Sequence, residues 1–242
     1  AGPEREAREK EIHADVERWS WALGTLSAAG SVVAAWALAA SLLPEERRAR
    51  AGYSALLVGG YAPFAFWGAS GMETTFFALL VTLALWRYVR QASSWGAPLL
   101  TALSALTRPE GVLLSLVLSA DAARRGGRRR GATFFLRFLS VYGPYFCWRF
   151  WYYGRPLPNT FYAKVSDTFA QVHRGAHYLG EFLGVARAAP IVLLAVLALF
   201  SKRARGVLAP WAFVVLYTAY VVPVGGVCFP SSPFLLVLLP VF

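Results

Sequence analysis

An all-α, polytopic bundle of about eight or nine transmembrane helices is the fold class this sequence predicts. Three observations predict it. Hydrophobic residues make up 57% of the 242 residues and charged residues only 15%, against about 25% charged in soluble domains. The mean hydropathy is +0.47. The charges are gathered into short clusters that alternate with long apolar runs, which is the pattern of membrane spans and their connecting loops. A net charge of +11 would suit a phosphate backbone, but charges parked between apolar runs make a loop signature, so no nucleic-acid partner is expected.

Taken in order, residues 1–18 form a polar segment of mixed acidic and basic residues, expected as an extracytoplasmic N-terminal helix or loop, and residues 19–242 form the transmembrane helical domain. The apolar runs are Trp19–Leu43, Tyr53–Gly68, Thr74–Val89, Ala97–Leu106, Gly111–Ala120, Thr133–Trp151, Phe182–Phe200, Val207–Val224 and Phe234 onward. Backbone groups in lipid must be satisfied within the segment, so each run is expected to be helical. The residue alternation of a membrane barrel is missing. The chain opens on charged residues without a signal-peptide pattern and stops within the apolar stretch LLVLLPVF, so it is expected to be a fragment.

The basic clusters give orientation. Arg47, Arg48 and Arg50 follow the first run, and Arg87 and Arg90 close the third. Arg124, Arg125, Arg128, Arg129 and Arg130 follow the fifth, and Lys202, Arg203 and Arg205 follow the seventh. If all of these are cytoplasmic, the connections at 68–73, 107–111, Tyr152–Arg187 and 225–233 face the other side. A single helix over Ala97–Ala120 would put the five-arginine cluster on the wrong side. Parity survives when Thr107–Gly111 divides that stretch into two short limbs. Pro109 favours a break, because the residue before a proline is pushed out of the helical region. Arg108 and Glu110 also fit poorly at mid-membrane in one helix.

Four polar motifs then share one side. Gly71-Met72-Glu73-Thr74 opens a helix with a carboxylate, whose ordinary role is to complement the helix dipole. Thr107-Arg108-Pro109-Glu110-Gly111 carries two opposite charges. Each costs about 2.5–3.5 kcal/mol on insertion scales, which makes both functional candidates; the ordinary alternative is an Arg108–Glu110 pair. The third motif, Tyr152 to Lys164, is rich in aromatics and prolines. Its tyrosines would serve an interfacial belt, but Arg155, Asn159, Thr160, Tyr162 and Lys164 are more polar equipment than a belt requires, and a cation there could hold a phosphate. The fourth, Val224 to Pro230, contains paired glycines that permit close backbone approach or an ordinary turn. His13, His173 and His177 form no metal arrangement, since no acidic third ligand stands beside the last two. Nothing in the spacing of Cys147 and Cys228 supports a disulfide.

In sequence order, GMET, RPEG, YYG-x-PLPNTFYAK and VGG…P…FLL-x-LLP resemble a bacterial family of GT-C-type membrane glycosyltransferases, with PNTFYAK the most specific element. The likeness covers roughly residues 19–242. It implies a multi-pass protein of the bacterial inner membrane that takes a sugar from a polyprenyl-phosphate donor on the extracytoplasmic face and passes it to a cell-envelope glycan or lipid. The partners it implies are that donor, the acceptor and membrane lipid. No cofactor is expected, and a divalent metal is left open. Cationic groups would stabilise the departing phosphate. Arg108 and Lys164 are the candidates, with Arg155 in reserve. Asn159, Tyr162, Glu73 and Glu110 would bind substrate, with Glu73 and Glu110 shaping the cavity or pairing with Arg108. The resemblance implies a general-base aspartate in a first outer loop, expected upstream of Ala1. The chain departs from the family at its last motif, where Val227 and Pro233 replace an acid and an arginine. A transporter or flippase would use broken helices in repeated halves, whereas only one broken element is visible; a non-catalytic membrane scaffold would fit the missing charge pair.

Overall fold

The computed structural model describes residues 3–156, 168–184, 188–193, 204–225 and 233–241. Those residues are helical with intervening turns, and no strand occurs among them. Helix α1 covers Pro3–Leu42 and is followed by a 3₁₀ turn at Glu45–Ala51. Next come α2 (Gly52–Gly59), α3 (Ala62–Gly68), α4 (Thr74–Arg90), α5 (Gly96–Thr107), α6 (Gly111–Gly126) and α7 (Arg128–Tyr153). After them lie α8 (Thr168–Leu183), α9 (Ala204–Val224), α10 (Pro233–Leu236) and a 3₁₀ turn at Leu239–Val241. The all-α expectation is met.

The polar N-terminal segment does not form a separate unit. It runs unbroken into the first apolar run, giving one helix of 40 residues, about 60 Å long at 1.5 Å per residue. Within it Arg8–Leu42 is the one stretch, among the described residues, long and apolar enough to cross a membrane, and only 33% of its most apolar window is buried. The shorter apolar helices are Gly96–Thr107 and Leu208–Val224. In α1 the face that packs inward is Gly24, Ser27, Ser31, Ala34, Ala35 and Leu38, all small but the last, while Trp21, Leu26, Val33 and Trp36 point outward. Small residues let helix backbones approach closely. Here Thr75 Oγ1 donates to the Gly24 carbonyl at 2.9 Å, stitching α4 to α1.

Three boundaries differ from expectation, each for a local reason. The run Tyr53–Gly68 is two helices, because Gly59-Gly60 ends α2 and extended Tyr61 precedes Pro63, seated in the first turn of α3, where its missing N–H costs no hydrogen bond. The connection Tyr152–Arg187 contains α8, an amphipathic helix whose buried residues Gln171, Gly175, Tyr178 and Phe182 recur at helical spacing. The apolar stretch from Phe234 onward is a four-residue helix and a 3₁₀ turn at Pro240. Gly127 joins α6 to α7 with a φ of 82°, a backbone region that favours glycine.

The α5–α6 break falls at the predicted place. Arg108 leaves the helix with φ −140° and ψ 136°, and Gly111 N–H donates to the Arg108 carbonyl at 2.9 Å to close the turn. The result is a hairpin of limbs of 12 and 16 residues beside the 17-residue α4. Two cross-links show that these helices share both ends. At one end Arg108 meets Glu73 at 2.7 Å. At the other the Tyr88 hydroxyl donates to Asp121 at 2.9 Å, and Asp121 is paired with Arg124 at 2.6 Å and Arg125 at 2.5 Å. The basic residues that close α4 and α6 therefore lie at the end of the bundle opposite the GMET and RPEG motifs. The apolar core spans Phe77, Leu85, Leu114, Phe213 and Leu236 among others, tying α4 and α6 to α9 and α10.

Candidate functional site

The site forms where the apex of the α5–α6 hairpin meets the start of α4. Arg108, pushed out of α5 by Pro109, is only 5% exposed. Its Nε and Nη2 donate to Glu73 Oε1 at 2.9 and 2.7 Å, and Nη2 also reaches Thr74 Oγ1 at 3.3 Å. Glu73 occupies the capping position of α4 but makes no capping hydrogen bond; its carboxylate is spent on Arg108 instead. The guanidinium lies over the Phe234 ring at 4.7 Å and the Phe77 ring at 5.8 Å, a geometry that favours a cation electrostatically. Of the two carboxylates expected beside Arg108, Glu73 makes the direct pair and Glu110 does not. Glu110 is an electrostatic neighbour of Arg108, as is Tyr217 of α9.

Tyr217 is fully buried, and Glu110 is 9% exposed. Tyr220, one turn beyond Tyr217 on α9, is a hydrogen-bonding neighbour of the Glu110 carboxylate. Three buried polar atoms here have no regular hydrogen-bond partner: Arg108 Nη1, Glu110 Oε2 and the Tyr217 hydroxyl. Each such atom normally costs about 1–3 kcal/mol, and native interiors leave few of them. All three fall around one guanidinium, and the Tyr217 side chain is itself a hydrogen-bonding neighbour of Arg108. α8 closes the flank: the Tyr178 hydroxyl accepts from Phe234 N–H at 2.8 Å, and Gln171 Nε2 donates to the Val224 carbonyl at 3.1 Å. A Cβ on Gly175 would strike the Val222 backbone, so α8 and α9 touch main chain to main chain.

Of the residues singled out in the sequence, Glu73, Arg108 and Glu110 are brought together. Lys164, Asn159 and Tyr162 lie outside the described residues, as does Val227. Arg155 is exposed just past α7, and its carbonyl lies 3.5 Å from Arg149 Nη2, which donates to the Pro156 carbonyl at 2.5 Å. Tyr217, Tyr220 and Tyr178 were not foreseen; tyrosines inside apolar runs look like packing until a second helix brings a charge beside them. An acidic neighbour does stand beside His177, against expectation: among the described residues it pairs with Glu181 one turn on, at 3.8 Å. Among the described residues no group of three or more His, Cys, Asp or Glu could hold a metal ion.

Glu73→Gln tests the pairing. The carboxylate is 45% exposed and the guanidinium 6%, so solvent screens one partner, and the loss is expected nearer about 1–2 kcal/mol than the 3–5 kcal/mol of a fully buried pair. Thermal melting in detergent should register it, whereas Glu9→Gln, at the exposed Arg5–Glu9 pair, should leave the melting temperature unmoved. Equal melting for wild type and Glu73→Gln would mean the pair contributes nothing. No family model matches the chain, and the searches of curated proteins and of solved structures likewise return no match.

Proposed function

We propose that this chain is a multi-pass glycosyltransferase of the bacterial cytoplasmic membrane, moving a sugar from a polyprenyl-phosphate carrier to a glycan or lipid acceptor on the extracytoplasmic face. The observation that carries the reading is the clustering of buried Arg108, Glu110 and Tyr217 at the bundle end opposite the arginines. The motif order supplies the reaction class; the cluster supplies a place for it.

The membrane part of the reading rests on which side chains face out. On α1 small residues pack inward and Trp21, Leu26, Val33 and Trp36 are exposed; on α7 Trp148, Trp151, Tyr152 and Tyr153 are exposed near its end. An outer surface of this kind would be a large apolar patch in water, but in a bilayer it is the expected lipid face, with the aromatics at the interface. The arginine-bearing end then faces the cytoplasm, and the Arg108 end faces out.

The chemistry follows from the donor. The acceptor hydroxyl oxygen attacks the anomeric carbon, the bond from that carbon to the phosphate oxygen breaks, and the carrier leaves as a phosphate. A carboxylate takes the acceptor's proton. Arg108 would meet the leaving oxygen with its guanidinium, in a water-poor setting where such a donor counts for more than in solution. Glu73 and Glu110 balance more than the charge of Arg108, so a bound phosphate calls for a second cation, and Lys164 is the residue assigned to supply it.

The test is binding of polyprenyl phosphate against polyprenol to the full chain in lipid nanodiscs. A charge-assisted hydrogen bond is worth about 1.5–3 kcal/mol, so the phosphate is expected to bind at least about tenfold tighter. Equal affinities would remove the phosphate site and the proposed donor with it.

A further inference from the structure

At the end of the bundle away from Arg108, basic charge outruns its partners. Helix α4 brings two arginines there, α6 two and α7 four, and Asp121 is the one acidic residue in these three helices. Asp121 is buried and engaged by the Tyr88 hydroxyl, Arg124 and Arg125. Arg128, Arg129 and Arg130 are exposed, and among the described residues no carboxylate pairs with them. They occupy the first turn of α7, which holds no acidic residue. A helix dipole disfavours cations at that end, and the three charges repel one another. Within the chain these arginines oppose stability, and an anion from outside offsets both terms.

Depth identifies the anion. Arg137 of α7 donates through Nη1 to the Ser93 carbonyl, and its guanidinium lies 5.2 Å from the Trp95 ring centre. Arg90 lies 5.5 Å from the ring centre of Trp86. Tryptophans at the end of a span mark headgroup level. Arg130 precedes Arg137 by two turns of the same helix, about 10 Å along it, which is about one Debye length. We propose that the α6–α7 turn is a binding surface for anionic phospholipid headgroups of the cytoplasmic leaflet, with lipid phosphates held by Arg128, Arg129 and Arg130. Arginine clusters directly beside a span suit such lipids, and each guanidinium can take two phosphate oxygens at once. The base of the turn is fixed: a Cβ on Gly131 would lie 2.6 Å from the Ser119 carbonyl oxygen, so α6 and α7 meet there at the main chain. The turn at Glu45–Ala51 is the contrast. Its three arginines stand with two glutamates, one of which meets Arg48 at 3.8 Å, so it carries little charge to offset. The inference rests on the membrane orientation proposed above and does not depend on sugar transfer.

The experiment titrates the full chain in neutral detergent with short-chain phosphatidylglycerol, or with phosphatidylcholine of the same acyl length, and follows the melting temperature. Wild type is expected to respond to phosphatidylglycerol at a concentration at least about tenfold lower, with the difference shrinking as salt rises. Each arginine near a charged surface contributes about fivefold, so the triple variant Arg128→Gln/Arg129→Gln/Arg130→Gln should lose most of that preference. Without lipid it should melt no lower than wild type, because the charges removed oppose the helix dipole. Arg47→Gln/Arg48→Gln/Arg50→Gln removes as many charges and should keep the preference. No preference in wild type would overturn the surface and leave the binding of polyprenyl phosphate, measured separately, untouched. Equal losses in both triple variants would reduce the effect to net charge and overturn it too. Loss in Arg108→Gln but not in the α7 variant would place the phosphate at the outer site, so that this proposal falls and the phosphate reading stands. A lipid-free melt of the α7 variant far below wild type would make its arginines structural and also contradict the proposal.

Discussion

Arg108→Gln is expected to lower sugar transfer by about 100- to 1000-fold, the range seen when one preorganised donor is removed from a developing oxyanion. The fold should survive it. Of the two carboxylates left behind, Glu73 is 45% exposed and can be hydrated, while Glu110, 9% exposed, loses a neighbouring cation, so the melting temperature is expected to fall without loss of the fold. Glutamine fills part of the same volume, and the ring contacts to Phe77 and Phe234 lose only their cationic component. The measurement is transfer from a labelled polyprenyl-phosphate sugar in membranes, beside a thermal melt of the purified variant. Wild-type transfer in a folded Arg108→Gln protein would take Arg108 out of the site. Loss of the melt along with transfer would make the arginine structural.

Gly111→Ala is expected to disrupt the site from a distance. A Cβ at this position would lie 2.6 Å from Ala105 Cα and 2.6 Å from the carbonyl carbon of Ser104. Both are backbone atoms of the facing limb, so no side chain can turn away and the hairpin must open at its apex. Overpacking of this kind costs about 1–3 kcal/mol. It also displaces Arg108 and Glu110, which flank the proline three to one residues earlier on the same turn. A lower melting temperature and weaker polyprenyl phosphate binding should therefore appear together. Gly52→Ala is the control: nothing lies within 4 Å of its Cβ, and its φ of −58° suits alanine. If Gly111→Ala melts and binds like wild type, the two limbs are not packed as described.

The hairpin was legible in the sequence because two independent signals met there. Pro109 forbids a helical Arg108, and the arginines at 124–130 demand an extra crossing. That Arg108 would pair with Glu73 or Glu110 was also legible; which of the two was not. Glu110 is nearest in sequence, but a turn directs neighbouring side chains apart, and Glu73, 35 residues away, is the carboxylate that closes the pair. Helix α8 falls inside a stretch that the sequence presents only as a connection, because His173, Arg174, His177 and Glu181 interrupt the apolar run that marks a span. Its buried face is visible only when the residues are taken at helical spacing. Tyr217 carries no sequence signal at all, since its polarity matters only once α9 lies beside the hairpin.

The most direct test of the account is the sidedness of the two bundle ends. Single cysteines at Ala69, Thr107, Ala92 and Arg128, in a background of Cys147→Ser and Cys228→Ser, can be labelled in intact cells with a membrane-impermeant maleimide. The account predicts that positions 69 and 107 react from outside, while 92 and 128 react only after the membrane is opened. Labelling of 69 and 107 from opposite sides, or of 128 together with 107 from outside, would contradict it, because the Glu73–Arg108 site could then not face an extracytoplasmic donor.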